Sequence, residues 1–199
     1  HLHLRPFRAA SKSQHVLKTN GENINICWSP DGNTIAVGNK SDHISFFDVR
    51  TNKLIAEKQF SMEINEIRWN NAGDLFFMTT GEGTIKVLTF PDLAETCPAF
   101  PAHTANCICL NFDPKGKYFA TGSADTLTSL WSASELVCVR TFGRSEWPVR
   151  TLSFSYDGQL LAGASEDDTL NLTYVETGEV VHGISTPPGT FTVAWHPSQ

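Results

Sequence analysis

The sequence predicts an all-β protein assembled from a repeated unit of four short strands. The first observation is a large aromatic residue that recurs after gaps of 41, 43, 42 and 41 residues, at Trp28, Trp69, Phe112, Phe154 and Trp195. The second is a turn glycine four residues after each of the first four aromatics, at Gly32, Gly73, Gly116 and Gly158. A period of about 40–45 residues with four strands per unit is typical of β-propellers.

Each copy of the repeat divides into four short strands separated by turn-rich segments. In the first copy the predicted strands are 24–29, 34–39, 43–48 and 54–60. These stretches are rich in Ile, Val, Phe and Thr and are bounded by Gly, Asp, Asn and Ser, which is typical of strands and their turns. No stretch has a sustained helical period, so the pattern indicates β-structure throughout.

The spacing of the repeat also predicts how the chain is divided. We expect a propeller domain over residues 12–199, with complete blades at about 24–63, 64–106, 107–148 and 149–190 and partial blades at 12–23 and 191–199. Residues 1–11 do not fit the repeat, and we expect them to be irregular or non-native. Because propellers of this repeat type most often have seven blades, we interpret the 199 residues as an incomplete part of a ring.

Composition limits the classes of function. The 21 acidic residues exceed the 15 Lys and Arg residues, giving a net charge of −6, which argues against general nucleic-acid binding by charge. No apolar run approaches the roughly 18 residues of a membrane span, and no metal or cofactor motif is recognised. The five cysteines, an odd number, predict a reducing compartment with thiols packed as small apolar groups.

Several stretches give the repeat a family resemblance. The turn Ser-Pro-Asp-Gly at 29–32 and the run Phe-Asp-Pro-Lys-Gly-Lys-Tyr at 112–118 resemble the WD40-repeat family. The segments Glu-Leu-Val-Cys-Val-Arg at 135–140 and Trp-Pro-Val-Arg-Thr-Leu at 147–152 resemble, more particularly, the THO complex subunit 3 family. The chain departs from the family in having no intact Trp-Asp pair: Phe47-Asp48, Leu88-Thr89, Trp131-Ser132 and Thr173-Tyr174 stand at these positions.

The resemblance implies a non-catalytic scaffold in the nucleus, within the THO/TREX assembly that couples transcription to messenger-RNA processing and export. Its partners would be other THO/TREX subunits, with RNA reached only indirectly through the complex and with no membrane, cofactor, metal or small-molecule substrate. Two alternatives remain open. One is another WD40 adaptor that recognises peptides, as a ubiquitin-ligase substrate receptor or a chromatin reader. The other is an enzyme, since propellers also carry catalytic sites.

The resemblance also implies a structural hydrogen-bond chain in the third copy. In the family, a His, an Asp, a Ser or Thr and a Trp form a buried chain, and the matching positions here are His103, Asp125, Thr121 or Ser123, and Trp131. A satisfied polar network would lock the turns of this blade. A Ser, His and Asp could also indicate a hydrolase triad, but the sequence lacks a nucleophile elbow.

A candidate protein contact lies on the loop that enters the fourth copy. Trp147 stands there between Arg144 and Arg150. Tryptophan and arginine are enriched among the residues that dominate the binding energy of protein interfaces. We therefore predict a contact patch of Arg144, Trp147 and Arg150, with the alternative that Trp147 folds under its own blade.

Overall fold

The four predicted blades are present as four antiparallel four-stranded sheets in a computed structural model that describes residues 2–4, 15–143, 145–187 and 189–198. Blade 1 contains β3 (Asn23–Trp28), β4 (Thr34–Asn39), β5 (His43–Asp48) and β6 (Lys53–Gln59). Blade 2 contains β7 (Ile64–Trp69), β8 (Leu75–Thr80), β9 (Thr84–Thr89) and β10 (Phe100–Pro101). Blade 3 contains β11 (Cys107–Phe112), β12 (Tyr118–Ser123), β13 (Leu127–Ser132) and β14 (Cys138–Gly143). Blade 4 contains β15 (Val149–Phe154), β16 (Leu160–Ser165), β17 (Thr169–Tyr174) and β18 (Val180–Ser185).

The all-β propeller prediction is therefore confirmed. Within each blade the strands follow one another in chain order from the first to the fourth. No helix in the described ranges is long and apolar enough to cross a membrane.

The turn after the first strand of each blade depends on local chemistry. In blade 3, Gly116 has a φ of +70°, a conformation that glycine adopts without a Cβ penalty. The buried Asp113 carboxylate accepts hydrogen bonds from the backbone amides of Lys117 and Tyr118, both at 2.8 Å. The turn is thus closed by its own side chain, which explains why its sequence is recognisable without tertiary information.

The apolar core lies between the blades. Adjacent residues of one strand point to opposite faces of its sheet, so each blade contributes to two interfaces. Phe76 packs towards blade 1, whereas Phe77 packs towards blade 3. In the next blade Phe119 packs towards blade 2 and Ala120 towards blade 4.

Two segments flank the four blades. Strand β1 (Leu2–Leu4) pairs antiparallel with β2 (His15–Leu17), and the side chain of Leu17 packs against Ile35 and Val37 of blade 1. Residues 1–11 were expected to be irregular or non-native; residues 2–4 are not irregular, because they pair with a distant strand, and residues 1 and 5–11 lie outside the described residues. At the other end, Trp195 packs against blade 4, and its backbone amide donates to Ser153 Oγ at 3.1 Å.

Candidate functional site

The polar residues that the sequence singles out in blade 3 form a continuous hydrogen-bond chain. Nδ1 of His103 lies 3.1 Å from Oδ2 of Asp125, and Nε2 lies 2.9 Å from Oγ1 of Thr121. The indole N–H of Trp131 donates to the same Thr121 oxygen at 3.0 Å. Because Nδ1 faces a carboxylate, we place the imidazole proton there, so that the Thr121 hydroxyl donates to Nε2. Every polar atom in this chain then has a partner.

Ser123 lies beside this chain and has a different role. Its hydroxyl donates to the carbonyl of Ala105 at 3.2 Å and accepts the backbone amide of Asp125 at 3.1 Å. The sequence left Thr121 and Ser123 as equivalent choices, and the structure places Thr121 next to the imidazole. Ser123 instead ties the turn that carries Asp125 to the loop that carries His103.

The chain of Asp125, His103 and Thr121 has the order of groups found in a catalytic triad, but its environment differs. Thr121 has no exposed surface, and its oxygen already accepts the indole proton of Trp131. A nucleophile must be able to reach a substrate carbonyl and must be free to transfer its proton. In this conformation the Thr121 hydroxyl donates to His103 but is fully buried and cannot reach a substrate, so the geometry favours a structural role.

Burial and hydrogen bonding set the charges of the pair. Burial lowers the pKa of His103, and the nearby Asp125 carboxylate offsets this shift only in part. For Asp125, burial acts to raise the pKa, but hydrogen bonds from the amides of Leu127 and Thr104, together with His103, hold it below its ordinary value. The pair is therefore a neutral imidazole beside an ionised carboxylate at neutral pH.

The predicted contact loop is only partly assembled by the structure. Trp147 is 50% exposed, so it does not fold completely under its own blade. Its backbone carbonyl accepts a hydrogen bond from Ser145 Oγ at 2.7 Å. The guanidinium of Arg150 is bound by Glu166, with Nε donating to Oε1 at 2.9 Å, and no cation–π contact with Trp147 occurs among the described residues. Arg144 lies outside the described residues.

The cysteines are free thiols, and three of the five are buried. Burial raises the pKa of Cys107 to about 12 and also raises that of Cys109, so both remain protonated. Cys138 is exposed, contrary to the expectation that the thiols serve in packing, because it lies on the outermost strand of blade 3. No group of three or more His, Cys, Asp or Glu side chains in the described ranges is arranged to hold a metal ion.

Asparagines that join neighbouring blades were missed by the sequence analysis. Asn65 of blade 2 donates to Cys107 O at 3.0 Å and to Asn106 Oδ1 at 2.7 Å. Asn71 donates to Asp113 O at 3.0 Å, and Asn111 donates to Leu152 O at 3.0 Å. The sequence pattern that could have predicted them is an asparagine within four residues of the repeating aromatic residue. These bonds fix the blades relative to one another and so position the loops between them.

Comparisons with known families cover nearly all of these strands. Residues 1–130 match the family model of eukaryotic translation initiation factor eIF2A. Residues 139–198 match the family model of the WD40 domain of anaphase-promoting complex subunit 4.

Three relatives align with the chain over most of its length. THO complex subunit 3 of Arabidopsis thaliana is 47% identical over 188 residues, which are 94% of this chain and 59% of the relative. WD repeat-containing protein AAC3 of Dictyostelium discoideum is 37% identical over 92% of this chain and 39% of the relative. Protein TEX1 of Saccharomyces cerevisiae is 26% identical over 88% of this chain and 44% of the relative. The chain thus spans less than two thirds of the length of each of these relatives.

Proposed function

The chain belongs to the eIF2A family through its first 130 residues and is a WD40-repeat homologue of THO complex subunit 3, and from this relationship we propose that it is a non-catalytic subunit of a THO-type complex. The observation that carries the proposal is the 47% identity to the plant THO subunit over 94% of the chain. The aligned region of 188 residues extends over most of the chain and is therefore not confined to one blade.

Within such a complex the chain would act in the nucleus as a scaffold, coupling transcription to messenger-RNA processing and export. The blades support this role because they hold several loops at fixed positions through inter-blade hydrogen bonds and aromatic packing. The net charge of −6 favours contacts with other THO/TREX subunits over direct RNA binding. RNA would then be reached through the partners.

We place a protein contact at Trp147, supported by its half-exposed indole. Arg150 would help to position this loop through its ion pair with Glu166, since its guanidinium is already bound. An exposed aromatic side chain that becomes buried on binding is a common centre of interface energy. Arg144 would complete the patch as proposed from the sequence.

Affinity capture tests the proposal. The tagged 199-residue chain is mixed with nuclear extract, treated with nuclease, and its bound proteins are identified by mass spectrometry. We expect other THO subunits to be recovered, and we expect Trp147→Ala to reduce their recovery without lowering the melting temperature. Tyr156→Ala is the matched control, because Tyr156 is an aromatic residue of blade 4 with 51% exposure, close to the 50% of Trp147. A large loss of melting temperature in Trp147→Ala would instead identify a core residue.

The same capture separates a second candidate function. The eIF2A match over residues 1–130 favours a scaffold in a translation-initiation assembly. Recovery of initiation factors from cytoplasmic extract, with no THO subunit from nuclear extract, would support that function and contradict ours. Recovery of ubiquitin-ligase or chromatin subunits alone would point to a peptide-recognising adaptor.

A further inference from the structure

A cavity of about 230 Å³ lies between blades 3 and 4. The side chains of Phe142 and Thr128 line it from blade 3, and those of Leu152, Leu161, Asn171 and Thr173 line it from blade 4. It reaches the surface beside the exposed residues Arg140 and Thr141 on the outer strand of blade 3. None of the residues discussed above as a candidate contact forms its interior.

The cavity exists because small residues replace large ones at three repeat positions. The second residue of the third strand is Ile44 in blade 1 and Ile85 in blade 2, but it is Thr128 in blade 3. On the facing side, blade 4 has Gly163 where the same strand position of blade 2 has Met78. It also has Thr173 where blades 2 and 3 have Leu88 and Trp131.

The other two blade interfaces are filled by aromatic rings. Phe46, Trp69 and Phe76 pack between blades 1 and 2 with ring centroids 4.9–5.9 Å apart. Phe119 and Trp131 stack at 5.9 Å between blades 2 and 3. No aromatic pair joins blades 3 and 4 within the part of the chain that the structure describes.

The walls of the cavity combine an apolar surface with unused polar groups. Phe142, Leu152 and Leu161 supply the apolar surface. The side-chain amide of Asn171 and the side-chain hydroxyls of Thr128 and Thr173 make no hydrogen bond, as far as the described residues extend. Polar groups within reach of an apolar pocket favour a ligand that has an apolar body and a polar tip.

We propose that this cavity binds the side chain of a tyrosine from an acidic peptide segment of a partner protein. An engineered apolar cavity of about 150 Å³ holds benzene, so 230 Å³ accommodates a phenol ring. It is smaller than the roughly 300–1,000 Å³ of sites for drug-sized ligands. The phenol hydroxyl would satisfy the groups of Asn171 and Thr173, which phenylalanine would leave without a partner.

We assign acidic residues to both sides of the partner's tyrosine because Arg140 places a positive charge at the mouth of the cavity. Arg140 donates through Nη2 to the carbonyl of Glu176 at 2.9 Å. Its charge also acts on the Glu176 carboxylate, which is paired with Lys117 at 2.8 Å, but no carboxylate lies within ion-pair distance of the Arg140 guanidinium among the described residues. A partner carboxylate beside the tyrosine would supply that charge. The inference does not depend on which complex contains the chain, so it can fail while the proposed function holds.

The test uses three probes on the folded 199-residue protein, with binding followed by NMR. They are p-cresol as the tyrosine side chain, toluene as the phenylalanine side chain, and the peptide acetyl-Glu-Asp-Tyr-Asp-Glu-amide. We expect p-cresol to bind more tightly than toluene, and the peptide to bind more tightly than p-cresol. Failure of the wild-type protein to bind either p-cresol or the peptide would overturn the proposal.

Variants locate the binding. Thr173→Leu introduces the residue that blade 2 has at this position and fills the cavity. It should weaken the binding of p-cresol and of the peptide by about tenfold or more, a difference of about 1.4 kcal/mol. Thr173→Val keeps the volume and removes the hydroxyl, so it should reduce the preference for p-cresol over toluene.

Arg140→Glu tests the charge at the mouth of the cavity. It should weaken the binding of the peptide about tenfold and leave the binding of p-cresol unchanged. Thr128→Ile is the second filling variant, should Thr173→Leu fail to fold. Unchanged p-cresol binding in a folded filling variant would show that the probe binds elsewhere.

Discussion

The two faces of blade 3 are built from alternate residues of the same strands, yet they are filled in opposite ways. The face towards blade 2 carries Phe119 and Trp131, which stack on each other, and Thr121, whose hydroxyl has a partner on each side. The face towards blade 4 carries Ala120 and Thr128 and borders the cavity. One strand pattern can thus specify a closed interface on one side of a sheet and an open one on the other.

The largest expected effect comes from a charge on the closed side. Leu110 is 2% exposed and packs in the core between blades 2 and 3. Leu110→Asp should abolish the cooperative thermal transition, because an unpaired carboxylate in an apolar core costs several kcal/mol or more. Val139→Asp is the control, since Val139 lies in the same blade and is 47% exposed. A wild-type melting curve for Leu110→Asp would show that the strand register is wrong.

The next prediction applies one substitution to both faces. Thr121→Val leaves the imidazole Nε2 of His103 and the indole N–H of Trp131 without partners, and should cost about 2–6 kcal/mol at about 1–3 kcal/mol per buried group. Thr128→Val removes a hydroxyl that has no partner in the described structure and should change stability by less than about 0.5 kcal/mol. Chemical denaturation measures both. Equal costs would remove the distinction between the faces.

The hydrogen-bond chain should also make stability depend on pH. Because the pKa of folded His103 lies below that of the unfolded chain, the unfolded state takes up a proton first as the pH falls below about 6.5. Stability is therefore fully present above that pH and decreases below it. Asp125, whose pKa is also lowered, adds a loss as the pH falls below about 4. The loss of melting temperature between about pH 7.5 and 5.5 should be smaller in His103→Gln than in the wild-type protein. An equal loss in the two proteins would show that His103 is not the source of the pH dependence.

The smallest expected effect is a gain from filling the open side. Thr128→Ile gives blade 3 the residue found at the same strand position in blades 1 and 2. Added apolar contacts in the cavity should raise stability by about 0.5–1.5 kcal/mol. Ser129→Val is a control on the neighbouring, closed face, where Ser129 is 4% exposed and extra volume should destabilise. A loss of stability in Thr128→Ile would indicate that the interface cannot accept a larger side chain.

Features that rest on local chemistry were predictable from the sequence. The period of the aromatic residues, the turn glycines and the alternation of apolar residues predicted the strands of blade 1 to within about one residue at their ends. Turns such as 113–116 close through their own side chains and backbone, so they need no partner from elsewhere in the chain.

Contacts between strands and between blades became visible only in the folded chain. It selected Thr121 over Ser123 as the neighbour of His103, because their neighbours across the sheet and in the adjoining loop differ. It paired Arg150 with Glu166, a contact that no sequence pattern predicted. The cavity likewise requires blades 3 and 4 to be face to face, since it arises from small residues on both sides of an interface. A repeat pattern specifies each blade, whereas the fit between two blades depends on the particular side chains that meet there.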